Sequence, residues 1–393
     1  MNYFSEYNQL RKKFNQQEDL IELTEQGIGI RNFSFESLHQ HFLPGRKESA
    51  SLFSDDISLL PDSSIHENRF FRYSVFVENA QKKYNEAIIL LHGLNEREWS
   101  KYLPWASFLT RHTKKPVILF PISFHMNRSP VLWNNRYLMQ QISNARKRLF
   151  RRNKENSFMN AALSDRINSN PKRFFVSGLE SYYNIIDLSK MIIDGDHPLF
   201  EKNTRINFFS YSIGAFLTEL IMMSNPRNYF KHSKAFLFCG GATFDKMNGT
   251  SKFILDKQAG KTLHRFFVRR FHRELKKDQQ LQAIITKTKA GCFFQSMLRM
   301  RRMRNFREER LQELSGQIKA VALLKDRVIP SSAIQKTLKG KQDTIQIPVE
   351  ILDYPYKYTH EIPFPAKENK TQEQINKAFE DTFIIASEFL SSR

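Results

Sequence analysis

Serine attacks an acyl carbon only with help: a base near the hydroxyl, a group that orients the base, and N–H donors for the oxyanion. The chain holds residues of these types where a fold could gather them. Within RINFFSYSIGAFLTEL, residues 205–220, an apolar run stops at a small cluster of Ser and Gly, and a helical pattern begins at once. SYSIG is one Ser away from G-x-S-x-G, with Ser210 in the first glycine position and Gly214 in the second. A sharp strand–turn–helix lifts the central serine, here Ser212, above a sheet, and small flanking residues are needed where the backbones crowd. The N–H of Ile213, at the helix start, is then a candidate oxyanion donor. Against this stands a plainer reading, in which the serine caps an ordinary strand-to-helix turn.

Three other stretches bear on the choice. Upstream, IILLHGLNE ends an apolar strand with His-Gly, and the backbone just beyond can supply a second oxyanion N–H, that of Leu94. His92 itself reads as a structural strand-end histidine. Downstream, ALLKDRVIP puts Asp326 at the C-terminal end of a strand, where an open α/β sheet presents its site. YPYKYTHEIPF puts His360 in the loop after the next strand. Singly, an Asp in a turn is a turn former and a loop His a bystander; three such residues at three successive strand ends are harder to dismiss.

The elements that would position them alternate. FFRYSVFVE (70–78) and AIILLHG (87–93) read as strands joined by NAQKKYNE, followed by a helix in WSKYLPWASFLTRHTKK with Ser100 as its N-cap. PVILFPI (116–122) is a short apolar run of the kind covered on both faces. After helix 177–193 come strand RINFFSYS, helix 213–224 and strand KAFLFCG. Strand IKAVALLKD (318–326), a helix near 331–338, strand TIQIPVEILDY (344–354) and a C-terminal helix 371–391 complete the series. Strands alternating with helices imply an α/β fold with a mostly parallel sheet covered on both sides.

Two blocks interrupt the alternation. VLWNNRYLMQQISNARKRLFRRNKE reads as an amphipathic helix whose polar face carries Arg146, Lys147, Arg148, Arg151 and Arg152. A second basic block spans about 255–313, where Leu263, Phe267, Phe271 and Leu275 recur on one helical face. The expected divisions are an N-terminal extension (1–68), polar and irregular apart from one helix near 5–20, core segments at 69–124, 173–245 and 316–393, and helical inserts at 125–172 and 246–315 forming a cap.

LLHGLNE, FSYSIGA, LLKDRVIP and YTHEIPF, in this order, make the chain resemble an α/β-hydrolase over roughly 70–125, 173–245 and 316–393. The resemblance implies an α/β-hydrolase fold and a serine hydrolase acting on a carboxylic ester or related acyl bond. It makes Ser212 the nucleophile, His360 the general base and acid, and Asp326 the residue that orients His360. Asp245, in CGGATFD after the preceding strand, is an alternative acid, though the D-x-V-I-P setting favours Asp326. Two departures are the Ser210 substitution and the absence of a match to a characterised branch. A contrasting reading is a catalytically silent hydrolase fold that binds an anionic partner through its basic cap.

The remaining features narrow the partners. FPISFHMNRSPVLW leads from a core strand into the first insert, so His125 and Arg128 either contact a substrate carboxylate or phosphate or tie the insert to the core. His39 and His41 lack Cys or acidic partners nearby, and neither a metal nor another cofactor is expected. The net charge of +21 suits an anionic small-molecule substrate or peripheral contact with an anionic membrane surface. Nucleic acid is the least favoured partner, because no nucleic-acid fold motif is present. Two cysteines, no signal-like N-terminus and no run of about 18 apolar residues point to a soluble cytoplasmic protein.

Overall fold

The computed structural model describes residues 2–44, 61–78, 82–367 and 370–392. Most of the loop expected at LPGRKESAS, the start of LLPDSS and the first residues of the NAQKKYNE connection lie outside them. Among the described residues nine strands form one sheet: β1 (Leu20–Leu23), β2 (Ile28–Glu36), β3 (Phe70–Val77), β4 (Tyr84–Leu91), β5 (Val117–Leu119), β6 (Phe200–Tyr211), β7 (Ala235–Phe238), β8 (Ile318–Leu323) and β9 (Val349–Leu352). Their order across the sheet is β1-β2-β3-β5-β4-β6-β7-β8-β9. β1, β2 and β3 pair antiparallel, as do β3 and β5; every pairing from β5 through β9 is parallel.

The unbroken apolar runs follow from burial on both faces. In β4, Ile88 and Leu90 join one core while Ile89 and Leu91 join the other, and in β6 Phe209 and Phe208 divide in the same way. A strand covered on one face only would have needed polar residues at alternate positions. Helices Tyr3–Lys13, Leu103–Thr113 and Gln372–Ser391 supply one cover, through residues such as Leu10, Trp105, Phe108 and Phe383. Helices Lys172–Asp194 and Ile213–Ser224 supply the other, through Leu179, Ile185, Phe216 and Ile221. This is the α/β class expected from the alternation. No helix among the described residues is long and apolar enough to cross a membrane.

Four local readings change. Residues 20–36, read as irregular, form β1 and β2 and extend the sheet, with Ile30 opposite Phe76. Ser100 caps no helix; the helix starts at Leu103 behind Tyr102, with Pro104 in its first turn, where a missing N–H costs nothing. β9 is confined to Val349–Leu352, because Pro348 has no N–H and can only accept, which it does from Ala320.

Arg146 is the fourth. In helix Arg136–Leu149 it is fully buried, where a solvated position was expected. Its guanidinium grips Asp256 at 2.7 and 3.0 Å and reaches Asp165 at 3.3 Å. Asp256 also caps helix Lys257–Leu263 through the Ala259 N–H, so one cation joins both inserts. Removing one partner of a buried pair strands the other charge in a dry interior. Arg146→Ala is therefore expected to lose about 3–5 kcal/mol in urea unfolding; a loss below about 1 kcal/mol, the range of an exposed pair, would contradict this burial.

Candidate active site

β6 runs directly into Ser212, and helix Ile213–Ser224 leaves from it. The turn is strained: Ser212 has φ 57° and ψ −117°, a conformation that costs a non-glycine residue about 1–3 kcal/mol and persists only where surroundings enforce it. They do so by crowding. A Cβ on Gly214 would stand 2.7 Å from the Leu91 carbonyl oxygen and 2.8 Å from that of His92, so only glycine lets the helix sit against the end of β4. Ser210, the departure from the motif, is buried and its Oγ shares a 2.6 Å hydrogen bond with Thr218 on the helix. A small residue is what that position requires, and serine adds a link between strand and helix.

Ser212 Oγ lies 2.7 Å from His360 Nε2, and His360 Nδ1 lies 2.6 Å from Asp326 Oδ2. The carboxylate at Nδ1 selects the tautomer with the proton there, which leaves the Nε2 lone pair to accept from the serine hydroxyl. Asp326 is held in turn by the Val328 and Ile329 N–H groups, which donate to Oδ1 at 2.8 and 3.0 Å. The three residues are 3–5% exposed. Asp245 is elsewhere: its Oδ1 accepts from Thr243 Oγ1 at 2.8 Å and from the Met300 N–H at 3.0 Å, binding the loop after β7 to the second insert.

The Leu94 and Ile213 N–H groups meet no acceptor among the described residues, and Leu94, Ile213 and Ser212 border one cleft. His92 is structural, as read, and its contacts explain the direction of the Leu94 N–H. The Ile122 N–H donates to Nε2 at 2.9 Å, so Nδ1 carries the proton and donates to the Gly93 carbonyl at 2.8 Å. That carbonyl and the Leu94 N–H share one trans peptide and point opposite ways. Turning the carbonyl toward His92 turns the N–H away from it.

Sequence reasoning missed a supporting network. Tyr211 donates its hydroxyl to the His360 carbonyl, and the two rings stack at 5.4 Å and 20°. Burial pushes the phenol pKa well up, which keeps the hydroxyl a donor. Lys101 stands 4.5 Å over the Tyr211 ring, donates to the Glu361 carbonyl at 3.1 Å and pairs with Glu96. Tyr102 donates to Glu96 at 3.1 Å and accepts from the Gly93 N–H at 2.9 Å. Tyr211 sits inside SYSIG and was the one available signal.

Arg128 does not reach the site. It is fully buried, 3.3 Å from Glu180, 4.2 Å over the Phe71 ring, and donates to the Pro121 and Asn68 carbonyls at 3.1 Å. With both terminal nitrogens engaged and Nε buried without a partner, it ties the insert to the core, and the substrate-contact reading is corrected. His125 is buried as well. Its Nδ1 is 2.8 Å from the Ser123 carbonyl, its Nε2 has no partner, and it borders a narrow apolar cavity of ≈ 70 Å³ shared with Leu94, Ile213 and Phe216. His39 pairs with Asp187 at 2.7 Å, far along the chain from the triad residues.

Sheet order and strand-end geometry define an α/β-hydrolase fold. The chain belongs to a family described as a family of unknown function (DUF6051), whose model matches residues 1–391. No curated protein matches it. Among solved structures it is similar to carboxyl esterase 2 from the mycorrhizal fungus Tuber melanosporum, at 10% identity, TM-score 0.44, and 81% and 80% of the two chains covered. It is similar also to a hyperthermophilic esterase from the archaeon Pyrobaculum calidifontis, at 11% identity, TM-score 0.43 and 91% and 84% coverage. A thermostable esterase from Pseudomonas putida gives 8% identity, TM-score 0.43 and 98% and 87% coverage. Each is a distant likeness, and the esterase activity in their names belongs to those proteins.

Burial also sets a pH response. Unfolded imidazoles take up protons below about 6.5, whereas desolvation holds folded His125 and His197 neutral down to about 4. The unfolded chain thus binds more protons in that window, and stability present above it is lost as pH falls from about 6.5 toward about 4. The urea midpoint should be lower at pH 5 than at pH 7, with a smaller difference in a His125→Gln, His197→Gln variant; equal differences in the two proteins would exclude these histidines as the cause.

Proposed function

We propose that the chain is a serine hydrolase that cleaves a carboxylic ester or related acyl bond through an acyl-enzyme. The observation that carries this reading is the unbroken line from Ser212 through His360 to Asp326, at 2.7 and 2.6 Å, on a strained turn at a strand end. Ser212 Oγ attacks the acyl carbon while His360 Nε2 takes its proton. Asp326 holds the Nδ1 proton in place and stabilises the imidazolium that forms. The Leu94 and Ile213 N–H groups receive the oxyanion of the tetrahedral intermediate. Collapse breaks the bond to the leaving group, which departs with the proton from His360. Water, giving a proton to the same nitrogen, then attacks the acyl carbon; collapse of that second intermediate breaks the bond to Ser212 Oγ, which takes the proton back from His360 as the acid leaves.

A fluorophosphonate probe should label the protein at Ser212, located by mass spectrometry, and should leave Ser212→Ala unlabelled. Equal labelling of both proteins would end the proposal. With a p-nitrophenyl ester, Asp326→Asn should lower kcat by about 10³–10⁴-fold with a much smaller change in KM, because the amide favours the wrong tautomer of His360. Asp245→Asn serves as the comparison, and a larger loss there than at Asp326 would assign the acid wrongly.

A further inference from the structure

Two clefts reach Ser212, and their linings differ in charge. One, of ≈ 900 Å³, mixes cations such as Arg97 and Lys101 with the carboxylates Glu96, Glu98 and Glu361. The other, of ≈ 1110 Å³, presents Lys154, Lys257, Lys261, Arg265, Arg269 and Arg270 against a single carboxylate, Glu155. Among the described residues none of those six cations comes within 4.0 Å of a carboxylate. Several arginines elsewhere in and beside the inserts are used up internally. Arg146 holds Asp256, Arg166 and Arg173 hold Asp62 at 2.9 and 2.8 Å, and Arg307 and Arg310 donate to backbone carbonyls.

The backbone explains how the free cations converge. Residues His264–Arg270 form a π-helical segment, in which i→i+5 bonding widens the turn so that residues four and five apart share a face. Arg265, Arg269 and Arg270 thereby project together, while Leu263, Phe267 and Phe271 are buried behind them. The same cleft is lined by the apolar side chains of Phe174, Phe244, Met247, Leu255, Val328 and Ile329, beside polar Asn248, Thr250, Gln258 and Thr262, and Ser212 and Ile213 border it. The Ser212 hydroxyl, a set of apolar side chains and an unneutralised group of cations thus border a single cleft.

We infer that the substrate is an anionic amphiphile: an acyl compound whose aliphatic part lies along these apolar side chains and whose far end carries a phosphate or carboxylate bound at the Arg265, Arg269 and Arg270 rim. The scissile bond in this inference rests on the serine-hydrolase reading; the binding does not. Guanidinium forks match either anion in a bidentate way. Because the rim is open to solvent, its attraction is screened by salt.

Octyl phosphate, octyl glucoside and inorganic phosphate serve as monomeric probes in calorimetric titration of the full chain. Octyl phosphate should bind on the order of tenfold tighter than either of the others. The preference over octyl glucoside should shrink by a similar factor at high ionic strength and in an Arg265→Gln, Arg269→Gln, Arg270→Gln variant, and invert in the corresponding Glu variant. Octyl phosphate should also slow fluorophosphonate labelling of Ser212. Equal binding of the three probes, a preference untouched in the variants, or binding that leaves labelling unslowed would each overturn the inference. Cosedimentation with equimolar phosphatidylglycerol–phosphatidylcholine vesicles without binding of monomeric octyl phosphate would instead assign the rim to a lipid surface. Because titration needs no turnover, absent labelling with intact binding would sink the hydrolase reading alone.

Discussion

The site depends on one steric constraint: helix Ile213–Ser224 packs so closely on the end of β4 that no side chain fits at position 214. That approach forces Ser212 into a positive φ, and the forced turn lifts its hydroxyl out of the sheet. The same approach brings the free N–H at the helix start beside the loop after β4, where the Leu94 N–H lies. The Ser212 hydroxyl and the Leu94 and Ile213 N–H groups therefore owe their placement to one structural cause. Strain of about 1–3 kcal/mol at Ser212 is held by the packing of a sheet whose central strands are buried on both faces.

The base is positioned by a different device. His360 sits in a loop, and a loop has no ladder to fix it. Its imidazole is fixed at Nδ1 by Asp326 and its backbone by Tyr211, the residue before the nucleophile. Lys101 then bridges the neighbouring Glu361 carbonyl to Glu96, and Tyr102 carries the chain of contacts to the Gly93 N–H. Loop after β4, turn after β6 and loop after β9 are thus joined by one continuous set of contacts. Loss of any link would loosen the distance between Ser212 and His360 and leave the fold standing.

What could be read from the sequence was whatever is local. Strand-to-helix turns, apolar runs and strand-end motifs each occupy a few consecutive residues, and they pointed to Ser212, Asp326 and His360 and to the fold class. Both Asp326 and Asp245 follow strands; the D-x-V-I-P setting favoured Asp326, and the 2.6 Å contact with His360 agrees with it. Arg146 looked like a solvated cation because helical periodicity says which face a residue occupies and nothing about what comes to meet it, and for the same lack Arg128 stayed open between a substrate contact and a tie to the core. Their carboxylates, Glu180 and Asp256, arrive from other segments, the second 110 positions away. β1 and β2 were missed because Gly29 and Asn32 blur the alternation that their pairing with β3 otherwise explains.

The same distinction resolves the chain's excess positive charge. A sum of +21 treats every arginine alike, yet the fold places some inside and others at the surface. Arg128, Arg146, Arg166, Arg173 and Arg307 are buried and take up carboxylates or carbonyls, so they contribute to packing and cancel locally. Cations that build the inserts must be matched, because an unmatched buried charge carries a desolvation cost of several kcal/mol. Those on the π-helical segment face solvent, where no such requirement holds, and repulsion among them is tolerated only because water screens it. A long mixed-charge rim would relieve that repulsion at little cost. Its absence around one of the two clefts that reach Ser212 is the feature of the inserts that packing does not explain, and an anionic group entering that cleft would remove it.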